Sequence, residues 1–197
     1  MSTKNTKRYE SMIIFGFPGV GKTYAFNHQD ELGLELVDSD SSNFHWMKDD
    51  DGNDILDEKG KKIVHPAWPA NYVQYIELIG REQAINPDYI MVSTHEEVMN
   101  ALMDRRFLSI TLLPDKCMKE NFIRRFKDRG SPESFIENLD KNWDNFIDGT
   151  IERINAHKCS KWNMLMTIRE GGKIQNMSDL LRKNLIPPFE SFDGEGW

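Results

Sequence analysis

A run of glycines followed by lysine and threonine is the part of this sequence best suited to chemistry. The run matches the pattern G-x-x-x-x-G-K-[ST], and we call it the glycine loop: Gly16-Phe17-Pro18-Gly19-Val20-Gly21-Lys22-Thr23. Glycines let such a loop curl until its backbone N–H groups point at one anion. We expect Lys22 to bridge the β- and γ-phosphates of ATP, and the Thr23 hydroxyl to bind Mg²⁺. The alternative is a glycine-rich turn that binds nothing, which would have no use for the Lys-Thr pair.

Two aspartates follow the second apolar segment, in the run Val37-Asp38-Ser39-Asp40-Ser41-Ser42. A carboxylate at this point can hold a metal-bound water or accept a proton from the phosphate acceptor. We expect Asp38 to bind the metal and the substrate, Asp40 to act in catalysis and Ser41 to contact the acceptor. Alternatively, the run is a polar turn that caps the next element.

The third apolar segment ends in Ser93-Thr94-His95. Motor and switch ATPases usually carry an aspartate at this place, so its absence argues against those classes. Because ligands bind at the carboxyl edge of open α/β sheets, His95 is a candidate contact for the acceptor. The alternative is that His95 only caps the helix that follows.

Three arginines lie close together in residues 121–130, although the chain as a whole is acidic. If the two phenylalanines of this segment face the core, Arg125 and Arg129 share a different face. Arginines brought over a nucleotide neutralise the transferred phosphoryl group, so we assign catalytic roles to both and nucleotide binding to Arg124. In the alternative, this face is solvated and Arg124 pairs with Asp128.

The segment between the second and third apolar runs, residues 41–88, is far longer than a simple crossover. We interpret it as an inserted acceptor-binding region. Its charged stretch contains Asp51-Gly52 and Lys59-Gly60, which are turn signals and predict a small exposed hairpin. No internal repeat is apparent.

Aromatic residues of this insertion lie where a base could stack. They are Trp46, Trp68 and Tyr72. Stacking on such a ring contributes about 1–3 kcal/mol per base. The alternative is that these rings pack against one another beside the neighbouring prolines.

The composition and net charge of the chain argue against two classes of binding partner. The 197 residues carry a net charge of −7, and the pI is near 5.3. Nucleic-acid grooves and anionic membranes normally need a basic footprint, so we expect neither partner. Cys117 and Cys159 show no spacing for zinc or for a disulfide framework, which predicts buried free thiols and a cytoplasmic protein.

Apolar runs alternate with amphipathic segments along the chain. Strands are predicted at 12–15, 34–37, 89–92, 108–113 and 162–168, and helices at 23–29, 71–84, 96–105, 119–127 and from Ser131-Pro132 onward. This alternation predicts an α/β protein with a parallel, helix-covered sheet. We expect one domain over residues 1–197, with an extended tail at 187–197.

The layout resembles the nucleoside monophosphate kinase branch of the P-loop kinases, which also includes gluconate and shikimate kinases. It is similar, over residues 11 to about 168, to small kinase-like proteins of phage genomes. The resemblance rests on the glycine loop, the aspartates, the insertion and the arginine helix. It implies a P-loop NTPase fold with five parallel strands in the order 2-3-1-4-5, a LID at 124–134 and monophosphate binding within 41–88.

The sequence therefore predicts an enzyme that uses ATP and Mg²⁺ to phosphorylate a nucleoside or deoxynucleoside monophosphate, as a monomer or a homodimer. Two alternatives stay open at this point. One is a kinase that phosphorylates a hydroxyl group of a small metabolite, with Asp40 as the base. The other is an ATP-binding regulatory protein with little turnover.

Overall fold

A computed structural model describes residues 11–82, 87–157 and 163–182 of the chain. Its centre is a sheet of five parallel strands in the order β2-β3-β1-β4-β5. The strands are β1 Met12–Gly16, β2 Leu36–Asp38, β3 Tyr89–Ser93, β4 Ser109–Pro114 and β5 Asn163–Ile168. The predicted α/β class, the all-parallel sheet and the strand order are confirmed.

Helices surround this sheet. They are α1 Lys22–Asn27, α2 Gln29–Leu32, α3 Ser42–His45, α4 Ala70–Glu77, α5 Glu96–Asp104, α6 Lys119–Asp128, α7 Glu133–Ala156 and α8 Met177–Arg182. A π-helical turn over Leu78–Glu82 follows α4, and a 3₁₀ turn over Lys116–Met118 precedes α6. Among the described helices, none combines the length and the apolar content needed to cross a membrane.

The central strand β1 explains how the sheet positions its loops. Ile13 and Phe15 pack on one face with residues of α4 and α5, whereas Ile14 packs on the other with residues of α6, α7 and α8. A strand covered on both faces is a continuous apolar run, as β1 is. Its last residue, Gly16, is paired in register with Ser93 of β3. The glycine loop and the segment after β3 therefore begin side by side.

The charged part of the insertion is a triangle of three short segments rather than a single hairpin. The N–H of Ile55 donates to Met47 O, that of Ile63 to Ile55 O, and that of Met47 to Ile63 O, at 2.9, 3.0 and 2.8 Å. The predicted turns at Gly52 and Gly60 are present, with φ of 84° and 75°. The three hydrogen-bonded residues lie eight apart in the sequence.

The expectation of no internal repeat is therefore wrong for this segment, which contains an eight-residue structural repeat. Its turns are closed in the same way, because Asp49 Oδ1 and Asp57 Oδ1 each accept from the N–H groups two and four residues later. His65 Nδ1 takes the third equivalent place and accepts from the N–H of Ala67 at 3.1 Å. The first two units also share residue types, since Asp49 and Asp57, like Gly52 and Gly60, are eight residues apart, whereas the third has His65 in place of the aspartate.

The long helix α7 departs from the prediction at its start. It begins at Glu133, with Pro132 at the N-cap rather than at the first helical position. Ser131 does not cap the helix. Its hydroxyl instead accepts a hydrogen bond from Arg129 Nε at 2.7 Å.

The middle of α7 also differs from the expected pattern. The helix is kinked at Asn142, where φ is −110° and the side-chain amide donates to Asn138 O at 3.0 Å. Helical spacing predicts that Phe146 faces the core together with Ile147, but its side chain is 41% exposed. The buried stripe is narrow and is filled by Ile147 and Thr150, so Phe146 lies at its edge.

The prediction of buried thiols is wrong for Cys117, which is exposed at the 3₁₀ turn. Its N–H donates to Asp115 Oδ1 at 3.2 Å, so this residue helps to close the turn. Cys159 and the predicted tail at 187–197 lie outside the described residues.

Candidate functional site

The glycine loop has backbone donors that are free to bind a ligand. Gly19 and Gly21 have φ of 79° and 95°, a conformation that glycine adopts without strain. Among the described residues, no acceptor contacts the N–H groups of Gly19, Gly21, Lys22 and Thr23. Consecutive unpaired N–H groups in such a curled loop form a concave site for an anion.

Close packing against α6 holds the loop in this shape. A Cβ added to Gly19 would lie 2.8 Å from Cζ of Phe126 and 3.3 Å from Cδ1 of Phe122. Both phenylalanines are fully buried. Gly19 therefore has no side chain for two reasons, its positive φ and the aromatic rings beside it.

Lys22 folds back over the loop that precedes it. Its Nζ donates to Gly16 O at 2.7 Å and contacts Phe17 O at 3.4 Å. Burial lowers the pKa of Lys22 to about 8, although the charges of Asp38 and Asp40 act in the opposite direction. The ammonium group is therefore held by neutral carbonyl groups, which leaves its charge available for an anion.

Thr23 and Asp38 are brought into direct contact at the edge of the sheet. The Thr23 hydroxyl donates to Asp38 Oδ2 at 2.6 Å. A hydroxyl and a carboxylate oxygen at this separation are hard ligands of the kind that Mg²⁺ prefers. Within the described residues, no group of three or more His, Cys, Asp or Glu side chains could hold a metal ion by itself. A cation here would take its remaining ligands from phosphate and water.

Asp40 and Ser41 leave the strand in different directions. Asp40 is exposed, and its Oδ1 accepts from the N–H of Ser42 at 2.9 Å, so one carboxylate oxygen closes a turn. The other oxygen faces no hydrogen-bond donor among the described residues. Ser41 is buried and shares a hydrogen bond of 3.0 Å with the hydroxyl of Ser93. Ser41 therefore ties the end of β2 to the end of β3.

Two of the three arginines lie against the rings that pack on the loop. The Arg125 guanidinium lies 4.9 Å from the ring of Phe122, and that of Arg129 lies 4.3 Å from the ring of Phe126. The charge of Arg129 also acts to lower the pKa of Lys22, although burial is the main cause of that shift.

Arg124 is exposed on the other side of α6. It makes no ion pair with Asp128, so the alternative based on that pair has no support in the described part of the chain. The expected LID at 124–134 spans the last five residues of α6, a loop of four residues, 129–132, and the first two residues of α7.

The insertion aromatics form a stack with a histidine inside it. The His45 ring lies 4.2 Å from that of Trp46 and 4.5 Å from that of Trp68, at interplanar angles of 7° and 12°. Tyr72 continues the stack beyond Trp68, but it is fully buried and its hydroxyl donates to Ser39 O at 3.1 Å. In this conformation Tyr72 has no open face for a base, and the facing sides of the two tryptophans are covered by His45.

His95 joins this stack to the carboxyl edge of the sheet. Its ring meets His45 and Trp68 edge-on at 5.9 and 6.1 Å. It stands at the N-cap of α5, yet its side chain makes no capping hydrogen bond. Burial and the nearby His45 lower its pKa, which favours the neutral imidazole.

A cleft of about 720 Å³ opens between the glycine loop, the start of α5 and one face of α7. Its lining includes Phe17 and Pro18 of the loop and the run 93–97. The α7 side contributes Phe135, Asn138, Leu139, Asn145, Phe146, Gly149, Thr150 and Arg153. Of the predicted site residues, His95 and two residues of the glycine loop, Phe17 and Pro18, line this cleft.

The α7 contribution was missed by reasoning from sequence. The available signal was Gly149, because a glycine within an amphipathic helical pattern weakens the helix and needs another explanation. A second signal was the pair Phe146-Ile147, since adjacent apolar residues cannot both lie at the centre of one buried stripe.

Comparisons with known proteins add no family assignment, because no protein-family model and no curated protein matches this chain.

Proposed function

We propose that this protein is a P-loop kinase that transfers the γ-phosphoryl group of ATP to a nucleoside or deoxynucleoside monophosphate. The observation that carries the proposal is the arrangement of Lys22, Thr23 and Asp38 around a loop with four N–H groups that no acceptor among the described residues contacts. Three of these donors belong to Gly21, Lys22 and Thr23 at the start of α1, where N–H groups have no partner within the helix and are open to an acceptor. An anion with several negatively charged oxygens satisfies them together.

Different residues of the site would bind the phosphates, hold Mg²⁺ and neutralise charge during transfer. The loop N–H groups and Lys22 would hold the β- and γ-phosphates, and Arg129 and Arg125 would neutralise charge on the transferred group. Thr23 and Asp38 would hold Mg²⁺, which screens the negative charge of the phosphates. An oxygen of the acceptor phosphate forms a bond to the γ-phosphorus, while the bond from that phosphorus to the β–γ bridging oxygen breaks and ADP leaves.

The oxygen of a monophosphate is already ionised near neutral pH, so this acceptor needs cations more than a base. Lys22, Arg125 and Arg129 supply such cations in a chain with a net charge of −7. Asp40 would then act by positioning, and the partial use of its carboxylate in a turn is compatible with that role.

A coupled assay of ADP release tests the proposal. The purified chain is offered ATP and Mg²⁺ with each ribo- and deoxynucleoside monophosphate, with nucleosides and with a sugar acid. We expect turnover that depends on a nucleoside monophosphate and disappears in Lys22→Met. The matched control is Lys59→Met, an exposed lysine of the charged insertion. ATP binding without any acceptor-dependent turnover would support the regulatory alternative instead.

A further inference from the structure

We propose that the cleft between α5 and α7 is the acceptor site, with the uncharged base of a nucleoside monophosphate lying on Phe146 beside Gly149. This inference rests on the proposed function and extends it, because it names the residues that select the acceptor. It places the base away from the aromatic stack of the insertion.

The cleft leads directly to the proposed phosphate site. Phe17 and Pro18 line it and belong to the glycine loop. Ser93, which ends the strand paired with β1, and Thr94, which follows it, are also in the lining. A molecule that fills the cleft therefore has one end beside the loop. The volume of about 720 Å³ lies in the range of about 300–1,000 Å³ typical of small-ligand sites.

The α7 wall presents an aromatic face and a gap next to it. Phe146 lines the cleft and is 41% exposed. A Cβ added to Gly149 would meet nothing within 4 Å, so the helix has open space at that position. Because Gly weakens a helix relative to Ala, its presence here is not explained by the stability of α7. The gap makes room for a flat ring.

The charges of the cleft suit an uncharged end group. Its charged lining residues are Glu96, Glu97 and Arg153, and Arg153 Nη2 lies 2.7 Å from Glu96 Oε2. The Arg153 side chain is 16% exposed and already paired, so the described residues of the lining leave no free cation for an anion. A carboxylate at this end, as in a sugar acid, would meet the charge of Glu97. The phosphate of a nucleotide would instead face Lys22 and Arg129 at the loop.

The aromatic stack of the insertion offers less to a base. The facing sides of Trp46 and Trp68 are covered by His45, and Tyr72 is fully buried. Phe146 has an open face without any rearrangement. Asn138 and Asn145 lie on the same wall and can pair with the polar edge of a base.

Gly149→Leu tests the inference by filling the gap. The open space around Gly149 and the greater helix propensity of Leu make this change compatible with folding. The matched control is Gly149→Ala, which adds one methyl group. We expect Gly149→Leu to raise the KM for the nucleoside monophosphate by about tenfold or more and Gly149→Ala by less than about threefold, with the KM for ATP unchanged in both. Phe146→Ala, which removes an exposed ring, should raise the same KM by about tenfold or more.

Direct binding separates this inference from the proposed function. Equilibrium dialysis with the ribo- and deoxynucleoside monophosphates, without ATP, measures binding of the acceptor separately from phosphoryl transfer. Weaker binding to Gly149→Leu and Phe146→Ala supports the cleft. Unchanged affinity in both variants, or no binding of any monophosphate to the wild type, overturns it. Failure of ATP binding or of transfer in a protein that still binds a monophosphate at the cleft overturns the proposed function and leaves this inference standing.

Discussion

The hydroxyl of Thr23 and the carboxylate of Asp38 lie 2.6 Å apart, although fifteen residues separate them in the sequence. Thr23 stands in the first turn of α1, and Asp38 is the last residue of β2. The parallel sheet brings the carboxyl ends of its strands to one edge, and this brings the two groups together. The contact joins the residue that ends the glycine loop to the residue that begins the acidic turn.

The first prediction concerns this pair. Asp38→Asn replaces a charged ligand with a neutral one of the same size, so we expect the Mg²⁺ concentration for half-maximal ADP release to rise by about tenfold or more. Thr23→Val should have a similar effect because it removes the hydroxyl, whereas Thr23→Ser keeps it and serves as the matched control. An unchanged Mg²⁺ titration in both Asp38→Asn and Thr23→Val would exclude them as metal ligands.

The second prediction concerns Lys22 and stability. Its pKa is about 8 in the folded chain, against the ordinary lysine value of 10.5, so the unfolded chain binds more protons between these pH values. The contribution of Lys22 to the free energy of unfolding therefore rises with pH across this window, and at pH 7 burial of the charge opposes folding. We expect Lys22→Met to stabilise the protein at pH 7 by up to about 3 kcal/mol. The gain should shrink towards zero as the pH approaches 10.5.

Urea unfolding of both proteins at several pH values measures this difference. Lys59→Met is the control, because the loss of an exposed side chain is expected to change the free energy of unfolding little. A stabilisation by Lys22→Met that stayed constant across the window from about 8 to 10.5 would mean that packing, and not the lost charge, is responsible.

The third prediction concerns the close contact between the loop and α6. Gly19→Ala places a methyl group 2.8 Å from Phe126 at a positive φ, so both strain and overpacking oppose it. Gly130→Ala is the matched control, because Gly130 has a similar φ of 72° and open space around it. We expect Gly19→Ala to lower the free energy of unfolding by about 1–3 kcal/mol more than Gly130→Ala. Equal losses in the two variants would show that α6 does not press on the loop.

The strands of this fold could be predicted from sequence because burial on both faces makes each one a short apolar run. The strand predicted at 12–15 is observed at Met12–Gly16, and the strand predicted at 89–92 is observed at Tyr89–Ser93. The strand order could not be obtained from such runs alone. It followed from the family resemblance, and the structure confirms it.

The glycine loop was also predictable, since each residue type in it has a local physical reason. The partners of the loop were harder to predict. The contact of Gly19 with Phe126 depends on how α6 packs, and the contact of His45 with two tryptophans depends on the path of the insertion. Such contacts link residues far apart in sequence, and no periodicity encodes them.

The cleft wall on α7 shows the limit of helical patterning. Phe146 and Ile147 are both apolar, and the pattern alone does not decide which one is buried. The structure buries Ile147 and exposes Phe146 to the cleft. The kink at Asn142 lies between the two ends of this wall, so the helix does not present one straight face.

The fourth prediction concerns the arginines of α6. If Arg125 and Arg129 stabilise the transferred phosphoryl group, changing either to Ala should lower kcat by about 10²-fold or more, with a smaller rise in the KM for ATP. Arg129→Lys keeps a charge but loses the guanidinium that lies over the Phe126 ring, so it should recover only part of the rate. Lys127→Ala, at an exposed position of the same helix, is the control. A kcat equal to that of the wild type in both Ala variants would favour the alternative, in which these arginines belong to a solvated surface without a catalytic role.

The last prediction decides between the two kinds of acceptor through Asp40. A hydroxyl acceptor needs a carboxylate base within about 2.6–3.2 Å of the proton that it loses, whereas an ionised phosphate oxygen needs none. Asp40→Asn preserves the turn, because the amide oxygen can still accept the hydrogen bond from the N–H of Ser42. For a nucleoside monophosphate we therefore expect activity to remain measurable, with a shifted Mg²⁺ dependence. The measurement is kcat for the best acceptor over a range of Mg²⁺ concentrations. Loss of most of kcat at every Mg²⁺ concentration, together with wild-type turnover of a metabolite that carries no phosphate, would identify Asp40 as a base and favour the hydroxyl kinase.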